Sequence, residues 1–501
     1  VIDETDLPIN PAYIDSVRLA GNVTILDRSK WLNQVCIETT DSSALTKINR
    51  LPFVINVQPL MRPVRAQVVN NNKLNEQINT ITTPLLVNNV TDFYNYGNAT
   101  QQIHIHEGEY LHNKGFHGEG MLLAMLDAGY YHYLTLPAFD SVRNNNQIIE
   151  TYDFVNNEVS VDEDYAHGME CFSIIASNIP GQLVGSSPKA TFYLYRTEDI
   201  ASESPVEEQY WAAAAERADS IGVDVITSSL GYTQFDNPIF NHTYADMDGN
   251  TTLITKAADF AAKKGMIVLV AAGNEGNNAW HFITAPADAD SVLAVGAVNS
   301  SGISASFSSY GPSSDGRVKP SVASVGVGTA LSSPGGQISS GNGTSFATPN
   351  LAGLVTCLWQ AFPEFSNMEI IQAVIKSSSI YNAPDDRIGY GIPNFHKAFD
   401  DLAEQRSLKN ISSILGDKFI KIYPNPFKDH FSVLIKPQIS TNATFTIYDA
   451  SGKLIAKKII TLQKDQPQLI KFENLQPLAR GLYVLKYADE KTKESFKLIL
   501  Q

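Results

Sequence analysis

The chain has 501 residues, 43% of them hydrophobic, so it can bury a sizeable core, and its length predicts two or three domains. Its formal net charge of -15 argues against nucleic acid as a general partner. No run of about 20 apolar residues occurs, which excludes a membrane-spanning helix.

The charge is uneven. Of the chain's 37 basic and 52 acidic residues, 14 and 8 fall in Leu415–Gln501, so that stretch is basic and reads as a separate unit. The three cysteines, Cys36, Cys171 and Cys357, are odd in number and far apart. They form neither a disulfide framework nor a zinc spacing, and buried free thiols are expected.

The chain opens on Val1 with no leader-like stretch, and the expectation is that a leader has been removed. Residues 1–61 read as a small unit. SKWLNQVCIETT (29–40) alternates like a half-buried strand, and 43–60 reads as a short amphipathic helix, then Pro52, then a strand. Residues 62–93, rich in Asn, Thr and Val without periodicity, are expected to be an exposed linker, where proteolytic nicking concentrates.

His104, His106, His112 and His117 follow. The spacing puts His104 and His106 on one face of a strand, which raises a metal site. No Cys or second carboxylate–His pair accompanies them, and surface histidines are the expectation. MLLAMLDAGYY (121–131) is a buried strand that delivers Asp127 to the carboxyl edge of a sheet. His167-Gly168 heads an apolar helical pattern, and 206–220 is an Ala-rich helix. A strand over 224–232 leads to Ser229-Leu230-Gly231, a helix covers 252–265, and a buried strand over 266–276 ends in Gly273-Asn274. Another strand covers 291–298. Strands alternating with helices predict a parallel α/β sheet covered on both faces.

GTSFATP (343–349) places Ser345 at the front of a long apolar helical run. A helix start offers free N–H groups and the positive end of the macrodipole, so the hydroxyl is exposed beside a donor for a developing oxyanion. An ordinary cap by Ser345 or Thr344 is the competing reading. Beyond about 406–417 the chain changes to short alternating runs separated by turns such as Asp449-Ala450-Ser451-Gly452, the pattern of a small all-β sandwich. The predicted units are 1–61, a linker at 62–93, 94–407, a linker at 408–417, and 418–501.

Asp127, His167, Asn274 and Ser345 each sit in the local context that acyl transfer requires. A histidine takes the serine proton and returns it to the leaving amine, a carboxylate fixes the imidazole, and a neutral amide donates to the oxyanion. Asp, His and Ser in this order on a parallel sheet, within LDAG, a His-Gly helix, VAAGNEG and GTSFATPNLAG, resemble the subtilisin-like serine proteases over Tyr94–Asp400. The resemblance implies a triad of Asp127, His167 and Ser345, with Asn274 and the Ser345 N–H as oxyanion hole. It also implies that Ser229, Leu230 and Gly231 pair with substrate backbone. Ala271, Ala272 and Gly273, with Thr284 and its neighbours, then wall the specificity pocket. Those wall segments carry no Asp or Glu, so a preference for apolar or uncharged side chains is expected. No cofactor is required for this chemistry. Structural calcium is common in the family, and Asp246, Asp248 and Asn250 around Gly249 are weak candidates against a plain turn. Ala128, Met169, Ser321 and Val325 depart from the family pattern.

LPFVINVQ (51–58) resembles the end of the inhibitory propeptide of these proteases, a folding assistant whose tail occupies the active site until it is cut. The cut is expected within 62–93. IYPNPF (422–427), TIYDASGKLI (446–455), RGLYVLKY (480–487) and the final FKLIL resemble the type IX secretion sorting domain of Bacteroidetes-type bacteria. This implies export across the outer membrane by the type IX machinery, to a secreted or cell-surface location. A carbohydrate- or protein-binding sandwich competes with it. The whole reads as a secreted serine endopeptidase acting on proteins or peptides and made as a self-inhibited precursor. The alternative is a weakly active or inactive surface binding protein on the same fold.

Overall fold

The apolar run before Asp127 becomes an inner strand of a seven-stranded parallel sheet. The computed structural model describes Asp3–Gln501 except residues 61–73, 75, 77, 82–90, 163–164, 416–417 and 474–477, and except the side chains of 411–414. The chain divides into two compact units, Val1–Phe399 and Asp400–Gln501.

The first unit begins with α1 (Pro11–Arg18), a hairpin of β1 (Thr24–Ser29) and β2 (Gln34–Glu38), and α2 (Ser42–Ile48). The hairpin corrects the single strand expected over 29–40. The chain reverses between Ser29 and Gln34, with Asn33 in the left-handed region at φ 49, a conformation that asparagine tolerates. The strand expected after Pro52 is also absent, since 54–60 have no regular structure. Most of the expected linker at 62–93 lies outside the described residues. Its described part includes β3 (Ile78–Thr80), which is paired in a sheet and not free.

Helices α3 (Thr100–His104) and α4 (Glu109–Asn113) occupy the histidine-rich stretch, in place of the strand expected there. His106, His112 and His117 are buried, which corrects the surface placement. His106 lies between the Pro393 carbonyl at 2.9 Å and the Ser324 hydroxyl at 2.8 Å. Burial holds the His106 and His112 imidazoles down at about 4, so both are neutral packing groups at pH 7.

The sheet is then laid down by β4 (Leu122–Asp127), α5 (Asp140–Asn144), β5 (Ile148–Asp153), α6 (His167–Ala176), a short hairpin of β6 (Asn178–Ile179) and β7 (Leu183–Val184), and β8 (Thr191–Arg196). It continues with α7 (Val206–Ile221), β9 (Val225–Ser228), α8 (Leu253–Lys264), β10 (Ile267–Ala271), β11 (Leu293–Val298) and β12 (Val322–Val325). Next come a hairpin of β13 (Val327–Ser332) and β14 (Ile338–Asn342), then α9 (Thr344–Ala361), α10 (Asn367–Lys376) and α11 (Phe395–Leu415). The strand order is β12-β11-β10-β9-β4-β8-β5, with every pairing parallel. Strands of a sheet covered on both faces read as continuous apolar runs, which is why β9, β10 and β11 are buried throughout.

Alanines at 212, 214, 215 and 218 line the buried face of α7 and pack with Ala257, Ala258 and Ala261 of α8 and with Ala124 and Leu126 of β4. Both helices stop at a left-handed glycine, Gly222 at φ 79 and Gly265 at φ 112. Trp31, in the turn of the β1–β2 hairpin, enters the same core at 4% exposure and stacks on Phe260 at 6.1 Å. Neighbouring strands β4, β9 and β10 end on Asp127, Ser228 and Ala271, so their carboxyl ends share one edge, where open α/β sheets build their sites.

The expected linker at 408–417 is helical as far as Leu415, within α11. The second unit is the predicted sandwich. One antiparallel sheet has the order β15 (Ile420–Tyr423), β16 (Phe431–Ile435), β19 (Gln468–Phe472). The other runs β18 (Leu454–Leu462), β17 (Thr441–Asp449), β20 (Gly481–Ala488), β21 (Lys493–Leu500). Phe431, Val433, Phe445, Ile447, Phe472 and Leu485 fill the space between them.

Candidate active site

Asp127 is the last residue of β4 and His167 the first of α6. An ideal Cβ at Gly168 would lie 2.8 Å from the Asp127 Cβ, so the glycine after the histidine lets the helix start approach the strand end. His167 Nδ1 then meets Asp127 Oδ1 at 2.6 Å, and the Ala128 N–H donates to the same oxygen at 2.7 Å. Ala128, one of the four departures from the family pattern, thus still supports the carboxylate through its backbone. Burial disfavours charge on His167, yet the adjoining Asp127 carboxylate outweighs it and holds the imidazole well above its usual range.

Ser345 is the second residue of α9. Pro349, inside that helix, has no N–H for the carbonyl four residues back. The Ser345 carbonyl accepts instead from the Ser229 hydroxyl at 2.8 Å and the Cys171 thiol at 3.4 Å. Cys171 is buried, which pushes its thiol well up and keeps it protonated. It places one ligand atom within 4.8 Å of those of Asp127 and His167, but a protonated thiol occupied as a donor does not suit a metal.

Asn274 follows β10. Its Oδ1 accepts from the Thr344 N–H and the Thr344 hydroxyl, both at 2.9 Å, which fixes the amide and turns Nδ2 towards the site. Nδ2 donates to Oε1 of Glu76 at 2.9 Å, and the Ser345 hydroxyl donates to that same oxygen. The other Glu76 oxygen lies 3.7 Å from His167 Nε2. Ser345, Asn274 and His167 therefore converge on one carboxylate.

The remaining expected residues divide. Leu230, Ala271 and Ala272 are buried, and Gly231 is exposed. The Gly273 N–H donates to the Thr344 hydroxyl at 3.3 Å. Thr284 donates its N–H to the Ala272 carbonyl at 3.1 Å and fills the space beside two glycines. A Cβ at Gly231 would lie 3.0 Å from the Thr284 Cβ, and one at Gly273 would lie 2.8 Å from its methyl group. Thr284 thus bridges the two wall segments, and its buried hydroxyl has no partner among the described residues. Asp246, Asp248 and Asn250 lie elsewhere. Asp246 closes a capping box on Thr243, and Asp248 accepts from the Asn250 and Thr251 N–H groups, each at 2.8 Å. Each carboxylate thus braces its own turn, as the plain-turn reading expects.

Two acids at the site escaped the sequence reading. Glu76 sits in a stretch without periodicity, 269 residues from Ser345. Glu170, one turn after His167 in an otherwise apolar helix, is buried, and that helical spacing was a readable signal. Burial pushes its carboxyl up to about 8, opposed by His167 and reinforced by Glu76 and Asp127.

This architecture and these contacts are those of a hydrolase built at the carboxyl edge of a parallel sheet. Residues 70–391 match the model of the Subtilase family, residues 1–79 that of the Bacteroidota Peptidase S8 propeptide domain, and residues 421–501 that of the secretion system C-terminal sorting domain. The chain belongs to the subtilase family and is a serine endopeptidase with a propeptide domain and a type IX sorting domain that directs surface export. Subtilisin amylosacchariticus of Bacillus subtilis subsp. amylosacchariticus is 31% identical over 291 residues, covering 58% of this chain and 68% of that protein. Subtilisin of Bacillus pumilus is 30% identical, covering 58% and 94%. Among solved structures, MycP1 from the ESX-1 type VII secretion system is similar at 22% identity and a TM-score of 0.48, covering 64% of this chain and 90% of that one.

Proposed function

We propose that Asp127, His167 and Ser345 hydrolyse peptide bonds through an acyl-enzyme, with Asn274 as a side-chain donor to the oxyanion. The reading is carried by the convergence of the Ser345 hydroxyl and Asn274 Nδ2 on one oxygen, beside an imidazole held by Asp127 at 2.6 Å. An oxygen there lies within reach of Asn274 Nδ2, a donor that a developing oxyanion needs, and the hydroxyl of the nucleophile approaches the same point. His167 Nε2 takes the Ser345 proton as the hydroxyl attacks the scissile carbonyl and returns it to the departing amine; water then repeats the sequence on the ester. Asp127 fixes the imidazole tautomer and stabilises its charged form. No cofactor enters these steps.

Substrates are proteins or peptides. Their backbone lies along Ser229–Gly231, and the side chain before the cut faces Ala271–Gly273 and Thr284. No acid lines these segments, which supports a preference for uncharged residues. Residues 1–79 act as inhibitor of their own catalytic unit until removed, and the sorting domain is handled by the type IX machinery. Fluorophosphonate labelling of matured protein tests the reading: wild type labels and Ser345→Ala does not. Absence of labelling in wild type after residues 1–79 have been removed would sink it. A peptide-library profile dominated by Arg or Lys before the cut would reject the uncharged preference.

A further inference from the structure

We propose that Glu76 is a latch. Its side-chain carboxylate, rather than a peptide carbonyl, fills the acyl site of the precursor, and self-cleavage waits until that side chain leaves. The proposal rests on the peptidase reading above and goes beyond it, because it names the group that blocks the nucleophile.

The path of the chain carries the argument. β3 pairs antiparallel with β14 in the register Ile78 to Gly341, Asn79 to Ser340 and Thr80 to Ser339. β14 runs directly into Gly343, Thr344 and Ser345, so the chain just before Ile78 arrives at the nucleophile. There the Glu76 N–H donates to the Leu74 carbonyl at 2.9 Å. What Glu76 presents to Ser345 and Asn274 is its side chain, which is 8% exposed. A Cβ on Gly343 would collide with the carboxylate, so the backbone before Ser345 is shaped to admit it.

A carboxylate suits a block. Its carbon bears delocalised negative charge and is a poor electrophile, so the serine hydroxyl donates a hydrogen bond to it and does not add. Glu76 Oε2 also stands 3.7 Å from His167 Nε2, an ion-pair distance longer than a hydrogen bond, so the closest holds on the carboxylate are those of the serine and the asparagine.

The test is the rate of fluorophosphonate labelling in the intact, full-length chain, read as label on the uncut band at early times. Wild type, Glu76→Ala and Glu76→Gln are compared, each checked for folding by far-UV circular dichroism and melting. Wild type stripped of residues 1–79 by an added protease is the positive control. The expected result is slow labelling of intact wild type and at least about tenfold faster labelling of Glu76→Ala, the effect of losing hydrogen bonds to a charged group. Glu76→Gln, which keeps the shape and loses the charge, falls between. Equal rates for intact wild type and both variants, with rapid labelling of the stripped control, would overturn the latch and leave the peptidase reading standing. If Glu76→Ala does not fold, Glu76→Gln decides on the same criterion. A stripped control that never labels overturns both readings together.

Discussion

Pro349 leaves the carbonyl of Ser345 without a helical donor, and the hydroxyl of Ser229 takes that carbonyl at 2.8 Å. A helix-breaking residue inside the helix of the nucleophile thereby ties it to the segment expected to hold substrate backbone. Ser229→Ala should destabilise the catalytic unit by about 1 kcal/mol, the net value of one such bond. Denaturant unfolding of a Ser345→Ala precursor, with and without the second change, measures it. An unchanged midpoint would show that the Cys171 thiol suffices.

Asn274→Ala should lower kcat by about 10²–10³-fold with little change in KM, a figure that comes from subtilisin itself. Asp127→Asn should lower kcat by about 10⁴-fold, because the imidazole loses its tautomer. Steady-state kinetics on a peptide amide separates the two parameters. A rise in KM alone for Asn274→Ala would mean that the amide binds the ground state only.

Thr284 fills the space beside Gly231 and Gly273. Thr284→Gly should open that space and raise kcat/KM for peptides with Phe or Tyr before the cut, relative to Ala, by about tenfold, within what one or two methylenes decide in an apolar pocket. An unchanged ratio would place the pocket floor elsewhere.

The precursor should melt at a lower temperature as pH rises. Burial pushes the Asp27 carboxyl up to about 7, against the Arg28 N–H and the Gln209 amide at 3.3 Å, while Glu216 adds to the rise. Glu170 stands at about 8. A carboxyl raised in the folded state binds a proton that the unfolded chain has already released, so its stabilisation is full below the ordinary carboxylate range and is lost as pH rises through the folded value. Asp27→Asn should flatten the melting profile up to about 7, and Glu170→Gln should flatten it up to about 8. Melting of Ser345→Ala precursors across pH 4.5–8.5 checks both, and parallel profiles for variants and parent would count against the assignments.

Much of the site was legible because its residues sit where secondary structure changes. An apolar run ending in a carboxylate, a His-Gly at a helix start and a Ser before a long apolar helix are local patterns, and the sheet brought Asp127, His167 and Ser345 to one edge. Glu76 was not legible, since nothing near it in sequence distinguishes it from other acids, and its partners come from distant elements. The histidines misled for a related reason. Positions 104 and 106 alternate as in a strand, but His104 ends a helix and His106 sits in the turn after it, and the burial of His106 against Pro393 and Ser324 is a tertiary event. In the hairpin, Asn33 was a turn signal that the alternation of 29–40 concealed.

Trp31 shares a core with α7 and α8 although it belongs to residues 1–79, which match a propeptide domain and whose removal is proposed above. Once that segment departs, the apolar surface around Phe260 faces water. A tryptophan that buries 150–250 Å² contributes about 4–6 kcal/mol at ~25 cal/mol per Å², so the freed product forfeits a share of what shaped it. The endurance of the exported enzyme would then depend on the height of its unfolding barrier more than on the depth of its energy well.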